Sequence, residues 1–242
     1  MEQYKEFAYI YDRLMHDDID YNAWCDYIEN IFTSHNISPD SICELACGTG
    51  NITYGLHKRG YEILGVDISR DMIDIASRKV RNGNFVCSDM SKLTLRGKYD
   101  AFLCMIDGLN YVLFPKSVLN TFKIVKEHLS ENGVFIFDIS SRYKLKNIIG
   151  NETFIHSEYD VFYSWQNRYL KKHNISDMLL NFFVRDRECY RRFEERHLQR
   201  GWSIEEMKKM LKAANFCNVE VYDELSFEPP KADSERIVFV CR

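Results

Sequence analysis

The stretch Glu44-Leu45-Ala46-Cys47-Gly48-Thr49-Gly50-Asn51 decides how the chain is read. The apolar run before it, Ile42 to Ala46, has the character of a buried strand, and a helix is expected from near Asn51. A strand that turns tightly into a helix, with glycine at the turn, lets the backbone approach a ligand closely. It also aims the N–H groups of the helix start at that ligand. In an open parallel sheet this turn lies at the carboxyl edge, where nucleotides bind. The pattern Gly48-x-Gly50-x-x-Thr53 lacks the third glycine of a dinucleotide site. No Gly-Lys-Ser/Thr follows, which excludes a phosphate-binding P-loop. Taken alone, the stretch is a weak signal, with an ordinary glycine turn as the minority alternative.

Downstream the pattern alternates. Tyr61–Val66 reads as a second strand closed by Asp67, and Ser69 as the N-cap of a helix with Met72, Ile75, Ala76 and Val80 on one face. Asn84–Cys87 is a third strand ended by Ser88-Asp89-Met90, and Tyr99–Met105 a nearly all-apolar fourth. Pro115 opens a helix, and Gly133–Ile139 is a fifth strand. Alternation of this kind implies right-handed crossovers and a parallel sheet. Residues 141–200 break it. Tyr159, Val161, Tyr163 and Trp165 alternate with mostly polar neighbours, which predicts a two- or three-stranded antiparallel insert. Ser203-Ile204-Glu205-Glu206 is a capping box with Trp202 and Met207 as its staple. Val219–Tyr222 and Ile237–Cys241 close the chain as a hairpin.

Upstream, residues 1–36 read as two aromatic-rich helices, with Tyr4, Phe7, Ala8 and Tyr11 on one and Trp24, Tyr27, Ile28 and Ile31 on the other. They are either a cap on the sheet or a lid that turns Tyr9, Tyr11, Tyr21 or Trp24 toward a ligand.

Length and composition narrow the classes. The 242 residues are 45% hydrophobic, enough for a full core. A net charge of −4 argues against binding duplex DNA by a broad basic face. No apolar run approaches the roughly 18 residues of a membrane helix, and Met1–Glu6 is too polar for a signal peptide. The eight cysteines are scattered without a C-x-x-C pair, which fits reduced thiols in the cytoplasm rather than a metal site or disulfides. Cys43, Cys87, Cys104 and Cys241 fall in apolar strand-like runs and are expected to be buried.

Chemistry concentrates at the strand ends. Asp67, 19 residues after Gly48, can accept hydrogen bonds from a ribose diol, and Asp89 from an adenine amino group. As the alternative, Asp67 is a helix-start carboxylate favoured by the macrodipole. With Glu44 they make three acidic strand ends, and the glycine turn holds no basic residue to compensate a pyrophosphate. A ligand with adenosine but no phosphates fits better.

The set Glu44-x-Ala46-Cys47-Gly48-Thr49-Gly50, Asp67, Asp89-Met90 resembles the class I S-adenosylmethionine-dependent methyltransferases, over residues 40–140 and 203–242. That resemblance implies an α/β, Rossmann-like seven-stranded sheet, mostly parallel with its last strand antiparallel. It implies that Glu44 and Ala46, Cys47, Gly48, Gly50 and Asn51 hold the amino-acid end of S-adenosyl-L-methionine. Asp67 would take the ribose, Ile68 and Met72 would flank the adenine, and Asp89 with the Met90 N–H would read its edge. Met105, Tyr11 and Trp24 complete the expected cofactor set. A second resemblance covers nearly the whole chain: Phe7-Ala8-x-x-Tyr11-Asp12-x-Leu14-Met15, Tyr21-x-x-Trp24, Asp107-Gly108-Leu109-Asn110-Tyr111 and Tyr190-Arg191-Arg192-Phe193-x-Glu195-x-His197 are similar to the YqeM-like bacterial methyltransferases. That group is laid out like the aminosugar N-methyltransferases, with an aromatic lid and a β insert over the active site. Residues 1–140 and 201–242 are then the cofactor domain and 141–200 its cover.

The reaction expected is methyl transfer to N or O of a small-molecule acceptor. Asp107, His197 and Tyr11 are the catalytic candidates, against bland readings of Asp107 as a turn-former and His197 as a strand-face histidine. Six arginines from Arg185 to Arg200 alternate with acids, as a salt-bridged surface or as a seat for an anionic acceptor. The rival functions are a nicotinamide oxidoreductase, disfavoured by Thr53 and Asp89, an RNA-directed methyltransferase, and a non-catalytic cofactor-binding regulator.

Overall fold

The computed structural model describes Asp12, residues 19–158 and residues 160–242. The expected first helix, with Tyr9 and Tyr11, lies outside the described residues, as does Tyr159. The second helix is α1 (Tyr21–Ser34), capped by the Asp20 side chain, which accepts from the Ala23 N–H at 2.9 Å.

Then strands and helices alternate: β1 (Ser41–Leu45), α2 (Asn51–Lys58), β2 (Glu62–Asp67), α3 (Arg70–Lys79), β3 (Asn84–Cys87), β4 (Tyr99–Cys104), α4 (Pro115–His128) and β5 (Leu129–Ser140). After the insert come α5 (Ile204–Ala213) and the strands labelled below β10 (Val219–Asp223) and β11 (Arg236–Cys241). The seven-stranded sheet runs β10-β11-β5-β4-β1-β2-β3. β1 to β5 are parallel, and β11 is antiparallel to both β5 and β10.

Both faces are covered by helices. Phe122 of α4 and Leu211 of α5 share one core with Phe135, Phe137 and Phe239. Phe137 and Phe239 stack at 4.7 Å across the β5–β11 pair. Truncating Phe137 to Ala is expected to cost roughly 3–5 kcal/mol in a denaturation measurement. Ile28 and Ile31 of α1 and Leu56 of α2 pack on the other face against Ile42, Ile136 and Val238. The capping box forms as read: Ser203 Oγ accepts from the Glu206 N–H at 3.2 Å, and Glu206 accepts from the Ser203 N–H at 2.9 Å.

Four details differ from the sequence reading. Ala46 is not the end of β1 but a left-handed turn residue, φ +54°. Strand β5 begins at Leu129, four residues early, because Leu129 pairs with Tyr99 before the register shifts at Ala101. Cys87 is exposed, since β3 is the sheet's edge. The insert has four strands: β6 (Thr153–Glu158), β7 (Val161–Leu170), β8 (Ile175–Asp186) and β9 (Cys189–Arg200), paired antiparallel in that order. Strand β6 escaped notice because it is short and its Ile155 faces solvent.

Asn110 joins the insert to the sheet. Fully buried, it donates to the Ser140 and Arg200 carbonyls, both at 2.9 Å, and accepts from the Ser140 N–H. One amide thus fixes the loop after β4 against the ends of β5 and β9. No helix among the described residues is long and apolar enough to cross a membrane.

Candidate functional site

The glycine turn winds through three left-handed residues, Ala46, Gly48 and Gly50. Gly50, φ +75°, caps α2 so closely that a Cβ there would stand 3.0 Å from the Ala76 Cβ. A Cβ on Gly48 would meet nothing within 4 Å, so this position is held open by backbone conformation alone. The Gly48 N–H donates to Asp67 Oδ2 at 2.9 Å, and Asp67 Oδ1 accepts from the Ser69 N–H at 2.8 Å. Asp67 is therefore the brace between the first two strand ends. Where a dinucleotide site would have its third glycine, Thr53 is fully buried and donates its hydroxyl to Glu44.

These groups border a cavity of about 340 Å³. Glu44, Ala46, Cys47, Gly48 and Asn51 line it from the first strand end; Asp67, Ile68 and Met72 line it from the second. Asp89 and Met90 come from the third and Met105 from the fourth. Gly50 serves it only as the helix cap. No Lys or Arg is among the described lining residues.

Burial pushes the Glu44 carboxyl up to about 8, although Thr53 opposes the shift. Asp67 is also raised by burial, against the hydrogen bonds from Ser69 and Gly48. Partial burial pushes Asp89 upward too, but hydrogen bonds from Ser91 and the Lys92 ammonium outweigh it and hold the carboxyl low. The Cys47 thiol is pushed far up by burial and stays protonated, a packing group rather than a nucleophile.

Asp12 is a residue that the reading from sequence quoted without assigning it a role. Its carboxylate accepts from Thr49 and from Asn51 Nδ2 and pairs with Lys79 Nζ at 2.6 Å, which ties Asp12 to the glycine turn and to α3.

A second cavity, of about 670 Å³, lies under the inner face of the four-stranded sheet. Phe154, Tyr163, Trp165 and Phe182 furnish it from the insert and Trp24 from α1. Trp24, expected in the cofactor set, borders this cavity and not the first: its helical position turns it into the core edge-on to Tyr27. Asp107 and His197 border it as well. Burial drives the His197 imidazole down to about 4, so it is neutral at pH 7. Tyr11, the third catalytic candidate, is outside the described residues.

At one end of the cavity the buried Arg236 meets three carboxylates. It pairs with Asp107 at 3.0 Å, with Asp138, and through Nε with Glu224 at 3.0 Å. Asp138 also accepts from the N–H groups of Ile106 and, at 2.9 Å, Asp107. Both are left-handed, at φ +56° and +55°, a conformation unusual for a β-branched isoleucine. Gln199 Nε2 completes the set by donating to Asp107 Oδ2 at 2.6 Å. Burial lifts Asp138 despite Arg236. Burial would lower Arg236, but Asp138 and Asp107 override it and hold the guanidinium charged. Asp138, Glu224 and Arg236 carried no local sequence signal. Ile106 and Tyr111 border both cavities, so the two spaces meet at the loop after β4.

A methyltransferase-domain family model matches residues 42–133, the span from β1 into β5. YqeM of Bacillus subtilis (strain 168) is 34% identical over 241 residues, covering 98% of this chain and 95% of that protein. An S-adenosylmethionine-dependent methyltransferase from Clostridium acetobutylicum ATCC 824 superposes with a TM-score of 0.90 at 36% identity, over 99% of this chain and 98% of that one. DesVI of Streptomyces venezuelae shares the fold at 21% identity and a TM-score of 0.81, each chain covered to 97%.

Proposed function

We propose a specific reaction for this chain, which belongs to the S-adenosylmethionine-dependent methyltransferases of the YqeM-like group: transfer of a methyl group to N or O of a small molecule held in the aromatic cavity. The observation that carries this reading is the shared border. A cleft suited to the cofactor and a cavity suited to an acceptor meet at Ile106 and Tyr111.

The cleft's own chemistry fits the cofactor. Its open Gly48 and the start of α2 offer backbone to a close-lying ligand, and Glu44, Asp67 and Asp89 favour cationic or hydroxyl-bearing groups. The same acidity and the absence of any described Lys or Arg disfavour a pyrophosphate, and so a nicotinamide dinucleotide. In this reading Asp67 takes the ribose, Ile68 and Met72 the adenine, Asp89 its edge, and Glu44 the amino-acid end. When bound, S-adenosylmethionine supplies a methyl carbon activated on a sulfonium, whose carbon–sulfur bond breaks as the acceptor lone pair attacks in line.

The chain's task is alignment and dryness. Holding two partners in register contributes roughly 7–11 kcal/mol of such a barrier. Residues 141–200 act as a cover, their sheet screening the cavity from water, with 1–140 and 201–242 as the cofactor domain. Asp107, fixed by Arg236 and Gln199, orients the acceptor's polar hydrogen. His197 offers a neutral ring nitrogen and is a weak base, so a general-base gain of roughly 10²–10⁴ is not required of it. Its eight unpaired cysteines support a cytosolic location.

The test is methyl transfer from labelled S-adenosylmethionine into a fractionated cell extract. Label in the low-molecular-weight fraction is expected. Label in RNA or protein alone would overturn the small-acceptor reading. Stabilisation by NAD and not by S-adenosylhomocysteine would overturn the whole.

A further inference from the structure

We infer that the second cavity selects a protonated amine carried on a flat apolar body and rejects acceptors that carry phosphate. The inference rests on the reading of that cavity as the acceptor site and names the class of acceptor.

The walls set the body. Trp24, Phe154, Tyr163, Trp165 and Phe182 surround about 670 Å³, room for a bicyclic or sugar-sized molecule. Aromatic faces attract cations and do not attract anions. Trp24 shows this within the protein, since the Arg236 guanidinium lies 5.8 Å from its ring centre. Trp165 adds a polar group to this apolar wall. Its buried indole N–H has no hydrogen-bond partner, a donor left for an acceptor atom on the ligand.

The end of the cavity sets the charge. On the cavity border one guanidinium faces the carboxylates of Asp107 and Glu224, with Asp138 buried behind them, so acid exceeds base there. Asp20, on the border of the same cavity, adds a further carboxylate. Lys144 is the other described cation there, and it lies 3.6 Å from Glu235. A phosphate entering would have to displace carboxylates from Arg236 or Glu235 from Lys144. An ammonium would instead complete an ion pair already oversupplied with acid, and at Asp107 it would pass one proton to that carboxylate, freeing the nitrogen lone pair that attacks the methyl carbon. Asp107 follows Ile106, which borders the cofactor cleft, so an amine drawn to Asp107 is drawn to the junction of the two spaces.

The arginines of the insert do not reverse this balance. Arg196 and Arg168 are bound to Asp177, and Arg192 to Glu194, and none of the three borders the cavity.

The experiment uses three probes with one body: naphthylethylamine, naphthylethanol and naphthylethyl phosphate. Each is titrated by calorimetry into the full chain saturated with S-adenosylhomocysteine. The amine is expected to bind about tenfold more tightly than the alcohol, and the phosphate more weakly than both. Glu224→Gln, at a half-exposed position, is expected to erase most of the amine's advantage and leave the alcohol unchanged. Equal binding of amine and alcohol, or tightest binding of the phosphate, would overturn the inference while leaving the methyltransferase reading intact. So would failure of all three probes to bind a protein that holds S-adenosylhomocysteine. A protein that fails to bind S-adenosylhomocysteine would instead overturn the cofactor reading beneath it.

Discussion

In the cofactor cleft, most polar partners come from nearby in the chain: Gly48 and Asp67 are 19 residues apart, Glu44 and Thr53 only 9, and even Asp12 reaches Thr49 from 37. Under the four-stranded sheet they come from far away. Asp107 is held by Gln199 and Arg236, 92 and 129 residues on, and Asp138 by an arginine 98 residues on. The cleft is a local fold of strand end, turn and helix start, whereas the cavity exists only once the whole sheet and its insert have closed. The difference teaches where each can fail: the cleft by losing a ligand contact, the cavity by losing a charge that balances several others.

Arg236→Met should therefore have the largest effect. It leaves Asp138, fully buried, and Asp107 without their cation, and breaking one side of a buried ion pair costs roughly 3–5 kcal/mol. Urea denaturation should report that loss. Adding Asp138→Asn should recover part of it, because the amide needs no counter-charge. A single variant as stable as the parent would show that the network is dispensable and that the two regions do not differ in this way.

The same contrast explains what sequence reading reached. Strands β1 to β4 were legible because each is a short apolar run set between helical stretches, and Glu44, Asp67 and Asp89 were noticed as acids at or near the ends of the first three. The capping box at Ser203 was legible because its spacing is its mechanism. Strand β6 was not, since a six-residue run with outward-facing Ile155 looks like a loop. Arg236 and Glu224 were not, because a charged residue opening a strand or sitting in a loop carries no local sign of its partner. Asp107 was named as a catalytic candidate, with a turn-former as the bland alternative, and its ion pair became visible only from the sheet order, which sets β11 beside β5 and β5 beside β4.

Titration offers a sharper comparison, because the two regions should respond to pH with opposite sign. Glu44 has a folded value near 8 against an ordinary 4.5. Between those values the folded chain keeps a proton that the unfolded chain has lost, so this stability is full below about 4.5 and disappears as pH rises through 8. At roughly 1.4 kcal/mol per unit the swing is a few kcal/mol. Glu44→Gln should abolish it, making the ligand-free variant the more stable protein at pH 9.

His197 has a folded value near 4 against 6.5. Its contribution is present above 6.5 and lost as pH falls toward 4, a smaller swing because the shift is smaller. His197→Phe should flatten the acid side of the stability profile and leave the alkaline side alone. Denaturation midpoints from pH 4 to 9 would read both variants. Parallel profiles for the two would mean that neither group is buried as the fold places it.

The smallest effect, and the most specific to the cleft, is expected from Asp67→Ala. Removing this carboxylate frees the Gly48 and Ser69 N–H groups at the edge of a cavity that water can enter, so the penalty to the fold is modest. The ligand loses more. If Asp67 both braces the turn and receives the ribose, affinity for S-adenosylhomocysteine should fall at least about tenfold, or roughly 1.4 kcal/mol. Calorimetry on the variant separates the two roles. Asp67→Asn keeps one oxygen to accept from Gly48 but offers the diol an amide in place of a full carboxylate. Should Asn restore the thermal midpoint yet leave affinity low, the ribose contact is the one that matters. Should it restore both, the turn alone was at stake, and the cleft too would be a region held by its packing rather than by its ligand.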